Sequence, residues 1–242
     1  GGEVVVPPIT DPGGAMPVAL LCQVPVVAVA VEGSFNTSAE KVEAVLSPHT
    51  RAIIIAHIAG EPVDMDPILE LAKARGIPIV EDCAQAHGAL YKDNIVGTLG
   101  AIAAYSTMSG KHHATGPQGG VVFTRDEELL WEARRFADRG KPFNVEATSN
   151  VRAGLNLNGN ELAAAIGRTQ LQRLPDAIHR RRQVAHQIQK AIGGLRAVRP
   201  GREAGGGGGV YWFMRFCVDE NLLTVDKNAF AEAIAAEGIP VA

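Results

Sequence analysis

Two short stretches of this 242-residue chain carry side chains suited to chemistry. The first is Glu81-Asp82-Cys83-Ala84-Gln85-Ala86-His87-Gly88-Ala89, directly after the apolar run 77–80. A carboxylate leaving a buried strand is expensive unless it meets a positive partner. Asp82 can cap a following helix, or it can contact a protonated ring nitrogen or a metal held above a sheet. The second stretch leads from Tyr105-Ser106-Thr107-Met108-Ser109 through Gly110-Lys111-His112-His113 to the glycine-rich Gly116-Pro117-Gln118-Gly119-Gly120. A lysine there can be a plain surface charge. It can also be a Schiff-base lysine, whose amine is nucleophilic once desolvated. Ser106, Thr107 and Ser109 are able to hydrogen-bond a phosphate, although the order of a Walker A loop is absent.

Other arrangements fall away. His112 and His113 are adjacent, and neighbouring side chains point apart on regular structure. No Cys or acidic ligand lies at a useful spacing, so no metal site is expected. Arg180, Arg181 and Arg182 read as a solvated helix face rather than an anion site. Ser34 and Cys83 lack the nucleophile-elbow pattern of a hydrolase. No Gly-x-Gly-x-x-Gly follows the first strand, which argues against a dinucleotide fold. Trp212 is expected in the core of a small C-terminal unit.

The elements that position the two stretches alternate. Apolar runs at 4–6, 25–31, 52–56, 77–80, 101–106 and 120–124 read as strands. Helices are expected from Ser38, over 67–75 with a stop at Gly76, over 126–138, and over 161–192 as two helices broken at Pro175. Strand, helix, strand is the mark of parallel βαβ units, so the fold class is α/β, a mainly parallel sheet flanked by helices. Parallel sheets place ligands at their carboxyl edge, where both stretches begin. Residues 1–199 read as one large domain and 200–209 as a linker, with six glycines and no core-forming residue. Residues 210–242 read as the start of a smaller α/β domain, with a strand over 210–218 and a helix over 227–237.

Composition agrees. Hydrophobic residues make up 46% and charged residues 20%, enough to build a core. A formal charge of −3 argues against a general nucleic-acid binder. Three dispersed cysteines fit neither a disulfide framework nor a zinc site and point to a reducing cytoplasm. No apolar run is long enough for a membrane span, and no basic-then-apolar leader opens the chain. The chain starts almost within a strand at Val4 and stops in mid-pattern at Ala242. A fragment is expected.

Taken together, the stretches resemble the DegT/DnrJ/EryC1/StrS aminotransferases. Residues 81–89 match their Glu-Asp-x-Ala-Gln-x-His-Gly-Ala motif. The likeness continues through Gly60-Glu61-Pro62-Val63-Asp64-Met65, Gly97-Thr98-Leu99-Gly100, Ser106 to Lys111, and the segment from Ala163 to Leu171. It implies the type I fold of pyridoxal-phosphate enzymes. It implies that Lys111 forms the internal aldimine and shuttles a proton. The resemblance implies further that Asp82 pairs with the pyridinium nitrogen, Gln85 reaches the phenolic oxygen, and Ser106 contacts the phosphate. It also implies that Asn156 is lent across a homodimer interface to the partner's phosphate. The implied substrates are a keto sugar, nucleotide-linked keto sugar or cyclitol, with glutamate or glutamine as amino donor.

The chain departs from the family pattern at three places: Gln118 where an acid is usual, Asn158-Gly159 where Arg-Met is frequent, and Asp11 where an aromatic ring often stands. The family's upstream phosphate-binding Gly-Thr/Ser segment is not within this sequence. Two alternatives stay open. One is a sugar dehydratase of the same fold, which carries histidine in place of the lysine. The other is a non-catalytic regulatory relative.

Overall fold

A computed structural model of the chain describes residues 1–203 and 206–240. Its strands are β1 (Glu3–Val6), β2 (Val24–Val27), β3 (Thr50–Ala56), β4 (Ile79–Asp82), β5 (Leu90–Tyr91), β6 (Asn94–Ile95), β7 (Ile102–Ser106), β8 (Gly120–Phe123), β9 (Val198–Pro200) and β10 (Phe216–Val218). Its helices are α1 (Met16–Leu20), α2 (Ala39–Glu43), α3 (Met65–Arg75), α4 (Glu127–Ala137), α5 (Glu161–Ile192) and α6 (Lys227–Ala236).

Six strands form one sheet in the order β2-β1-β3-β4-β7-β8. All neighbours are parallel except β8, which runs antiparallel to β7. The Val and Ile runs of β1 and β3 suit strands covered on both faces. One face carries Val5, Ile53, Ile55, Ile79 and Ala103, closed by Met65, Ile68 and Ala72 of α3 and Ile178 of α5. Fully burying one such Ile is worth about 1.5–3 kcal/mol. The other face carries Val4, Val6, Ala52 and Ile54 under Val18 of α1.

Local signals set the ends of the helices. The Ser38 hydroxyl accepts from the Lys41 N–H at 3.4 Å, and the Asp126 carboxylate accepts from the Leu129 N–H at 3.0 Å. Gly76 ends α3 at φ 64°, where a side chain is strained.

Two expectations need correction. The segment 161–192 is one helix, not two. Pro175 removes one N–H, but Leu174 and Ile178, on either side of it, both pack on the main core and hold the axis together. The strand expected over 210–218 shrinks to β10, which pairs with β9. Residues 210 and 212 bond to the large unit instead: Val210 N–H donates to Gly60 O at 2.9 Å and Trp212 N–H to Ala59 O at 2.8 Å. Val210 is itself part of the main core. Part of the glycine-rich 200–209 stretch, and the chain end at Ala242, lie outside the described residues. No helix among the described residues is long and apolar enough to cross a membrane.

Candidate active site

The site lies at the carboxyl edge of the sheet. Asp82 is the last residue of β4, with Ala56 of β3 and Ala104 of β7 as its neighbours in register. Both neighbours are small, and Ala104 is exposed although its strand is internal. The face beside the carboxylate is open on the Ala104 side, while Ala56 on the other side is buried. Asp82 Oδ1 accepts from the Ala84 N–H at 3.0 Å, and no hydrogen bond among the described residues reaches Oδ2. The capping alternative is not realised, because turns and no helix follow Asp82.

Strand alternation sends the preceding side chain to the opposite face. Glu81 is fully buried there beside His57, with Nε2 to Oε2 at 3.1 Å. The Val63 N–H donates into His57 Nδ1 at 3.1 Å, which leaves Nε2 as the protonated nitrogen. Glu81 also accepts from the N–H groups of Gly97 (2.7 Å), Leu99 (2.8 Å) and Gly100 (2.5 Å). Burial pushes this carboxyl up, but the His57 bond and these N–H groups together hold it below its ordinary value. His57, Glu81 and Cys83 cluster closely enough to suggest a metal. The carboxylate is nevertheless filled by four donors, and burial first of all pushes the Cys83 thiol far up. The cluster therefore anchors the Gly97-Thr98-Leu99-Gly100 loop.

Lys111 sits in the loop between the antiparallel β7 and β8. The loop closes on itself: Thr107 N–H donates to Gly119 O at 2.8 Å, Thr115 N–H to Thr107 O at 2.9 Å, and Lys111 N–H to Met108 O at 3.2 Å. His112 donates from Nε2 to Val210 O (3.1 Å), and His113 from Nε2 to Gly167 O of α5 (2.9 Å). The lysine is thus held from both sides. Burial pushes its amine down, against the opposing pull of Asp82 and Asp11. Burial pushes the Asp82 carboxyl up, against the Ala84 N–H, His57 and Lys111. Asp82 and Lys111 act on each other although they leave different strands. Asp11, at the mouth of a short turn, acts on both.

Gln85 and Ser106 belong to the same edge. Gln85 Oε1 accepts from the Ala59 N–H at 2.7 Å, so its NH2 group is the free end. Ala59 is held at φ 63°. Ser106 Oγ accepts from the Met108 N–H at 3.3 Å and keeps its proton to donate. On β7, Ser106 faces the same way as Ala104. Asn156 stands apart: it is exposed, paired as a bridge with Asp138, and joined by no hydrogen bond among the described residues to the other four. Asn158, one of the departures, has a visible task. Its amide donates to Asp138 Oδ1 (2.9 Å) and to Asn156 Oδ1 (2.8 Å), and the Asn156 NH2 group has no partner among the described residues. Gln118 is exposed and forms no side-chain hydrogen bond among the described residues.

Three features escaped the sequence reading. Trp212 is not in a separate small core. Its ring lies over Lys111, with Nζ 3.9 Å from the ring centroid. Arg181 and Arg182 are not a free solvated face. Arg181 donates to the carbonyls of Tyr211 (2.9 Å) and Trp212 (3.3 Å), and Arg182 to those of Gly209 (2.9 Å) and Gly208 (3.0 Å). The segment 208–212 is thereby strapped across the large unit. The buried pair His57–Glu81 also went unread; the only signal was a glutamate placed to face the core.

A mainly parallel sheet with a carboxylate and a lysine converging at its carboxyl edge, away from any nucleotide-binding glycine loop, is the arrangement of a type I aminotransferase-like fold. The chain belongs to the DegT/DnrJ/EryC1/StrS aminotransferase family, which it matches across residues 1–242. It is 32% identical over 245 residues to GDP-perosamine synthase of Caulobacter vibrioides, covering 100% of this chain and 65% of that protein. It superposes on the X-ray structure of an aminotransferase from Psychrobacter cryohalolentis with a TM-score of 0.92 and 31% identity, over 99% of this chain and 66% of that one. It superposes on Streptomyces venezuelae DesV, solved in complex with a ketimine intermediate, with a TM-score of 0.90 and 30% identity, over 99% and 62%. The chain spans about half to two thirds of the length of the curated relatives it matches.

Proposed function

We propose that this chain carries the cofactor-binding part of a pyridoxal-phosphate-dependent aminotransferase. Its acceptor is a keto sugar, nucleotide-linked keto sugar or cyclitol, and its amino donor is glutamate or glutamine. The observation that carries the reading is the convergence of Asp82 and Lys111 at one sheet edge. The residues fit the cofactor on three counts. Asp82 has no hydrogen bond at Oδ2 among the described residues and stands beside the exposed Ala104. Gln85 has only its NH2 group to offer, which suits a phenolic oxygen. Ser106 has a hydroxyl proton to give to a phosphate.

Bound there, pyridoxal phosphate supplies an electron sink for moving an amino group. Asp82 holds a proton at the ring nitrogen. Lys111 anchors through Nζ and, once free, carries the proton at that atom. Gln85 donates to the phenolic oxygen and Ser106 to the phosphate. Asn156 reaches from one subunit of a homodimer to the phosphate of its partner, and its exposed, outward amide supports that role. The chain is read as a large unit over 1–199 followed by the opening of a smaller one, joined across 200–209. Three free cysteines fit a reducing cytoplasm.

The dehydratase reading loses ground on a specific observation. His112 and His113 are committed to the carbonyls of Val210 and Gly167, and neither stands in for Lys111. The test is an absorbance scan with pyridoxal phosphate. A visible band is expected in the chain and not in Lys111→Ala, and L-glutamate or L-glutamine should discharge it. A band that survives in Lys111→Ala sinks the lysine assignment. A band that neither L-glutamate nor L-glutamine discharges sinks the transaminase reading.

A further inference from the structure

Trp212 is fastened at three points. Its indole Nε1–H donates to Gly110 O at 3.0 Å, one residue from Lys111. Its backbone N–H donates to Ala59 O at 2.8 Å, and its carbonyl accepts from Arg181 at 3.3 Å. Two residues earlier, Val210 is locked to Gly60 and to His112. The indole face cannot swing away from the loop that carries the lysine. On that face lies Lys111 Nζ, 3.9 Å from the ring centroid. An aromatic face is negative at its centre and attracts an ammonium, most strongly when water is excluded.

We infer that Trp212 is a positioning residue for Lys111, giving the amine a fixed resting place as a cation whenever Nζ is unbonded. The strap 208–212 then has a purpose beyond packing. It sets a perch that keeps a long flexible side chain at the sheet edge, and it limits how much of the amine is neutral and therefore nucleophilic. The benefit for catalysis rests on the proposed role of Lys111; the perch itself does not. The charged and titratable groups that face the amine are Asp82 at the end of β4, Asp11 in the turn before α1, and the imidazoles of His87 and His112. The two carboxylates alone could hold the ammonium, so a test must leave them in place and change only the ring.

The test labels amines with trinitrobenzenesulfonate in the full chain, free of pyridoxal phosphate, across the neutral to alkaline range. Peptide mass mapping then gives the rate at Lys111, with Lys41 as internal reference. The plateau at high pH reports access, and the midpoint reports stabilisation of the ammonium. Relative to its own plateau, Lys111 labelling at neutral pH should rise about two- to tenfold in Trp212→Leu, with Trp212→Phe between. Lys41 should not change. An unmoved midpoint, or one displaced upward, overturns the inference. If the leucine variant does not fold, the phenylalanine variant and a spectroscopic arm carry the test. With Trp131→Phe as background, Trp212 is the sole indole, and Lys111→Met should shift its emission; an unchanged spectrum also overturns the perch. Neither readout uses the visible band. A chain that fails the band test but passes here refutes the cofactor reading alone, and the converse refutes Trp212 alone.

Discussion

Glu81 and His57 meet 3.1 Å apart on the buried face of the sheet, back to back with Asp82 on the open face. One strand end therefore does two jobs. Its inward carboxylate binds the loop that closes the edge from behind, and its outward carboxylate waits at the site. Glu81→Gln keeps the volume but turns an NH2 group toward N–H donors. It should lower stability by about 2–4 kcal/mol, read from urea unfolding. The native contribution is present above pH 4.5, the unfolded value, and is lost as pH falls through the lower folded one. A variant as stable as the wild type would show that the Gly97 to Gly100 contacts are dispensable.

His87 makes the opposite kind of buried group. Neither ring nitrogen has a hydrogen-bond partner among the described residues. Burial, helped by His112 and His113, pushes it down to about 4 from 6.5. A histidine depressed in the folded state takes up its proton more readily when unfolded. Stability should therefore fall as pH drops from 6.5 toward 4, by up to about 3 kcal/mol for this group. His112, pushed down to about 4 chiefly by burial, adds to the same decline. His87→Phe should remove the His87 share and change neutral-pH stability little. Unfolding free energies at several pH values check this; an equally steep decline in the variant would contradict it.

Two glycines with similar backbone angles should respond very differently to a methyl group. Gly76 has φ 64° and nothing within 4 Å of an added Cβ, whereas Gly60 has φ 80° and would press 2.7 Å from both Gln85 O and Val210 Cγ2. Gly76→Ala should destabilise by about 1 kcal/mol through backbone strain alone. Gly60→Ala should cost about 3 kcal/mol, because rigid backbone and the strap must both shift. Equal melting temperatures for the two variants would contradict the close approach at Gly60.

Asn158 holds Asn156 through a single hydrogen bond, from its side-chain amide to Asn156 Oδ1 at 2.8 Å. Asn158→Ala lies on the surface and should alter the unfolding free energy in urea by less than about 0.5 kcal/mol. It should nevertheless weaken retention of pyridoxal phosphate on dialysis at high protein concentration, where a shared site is assembled, and the difference from the wild type should shrink on dilution. Retention equal to that of the wild type at every concentration would remove Asn156 from the site.

The strands were legible because Val and Ile runs between turn residues mark buried strands, and β1, β3 and β4 fell within two residues of expectation. Asp82 and Lys111 were legible because each follows an apolar run at a place where sheets leave chemistry exposed. The strap was not. Trp212 meets Lys111 about a hundred residues away in sequence, and Arg181 and Arg182 meet carbonyls some thirty residues on. Backbone carbonyls carry no sequence signature, and a three-arginine run reads as solvated whatever its side chains meet. Pro175 misled for a related reason: its local penalty was visible, while the packing of Leu174 and Ile178 that offsets it was not.

The most direct measurement is borohydride reduction of the chain with pyridoxal phosphate, followed by peptide mass mapping. The expected result is one pyridoxyl group, on Lys111, with Asp82→Asn still labelled but more weakly because the ring nitrogen loses its ionic partner. Label on another lysine, or none on the folded chain, would contradict the assignment of this sheet edge as the active site.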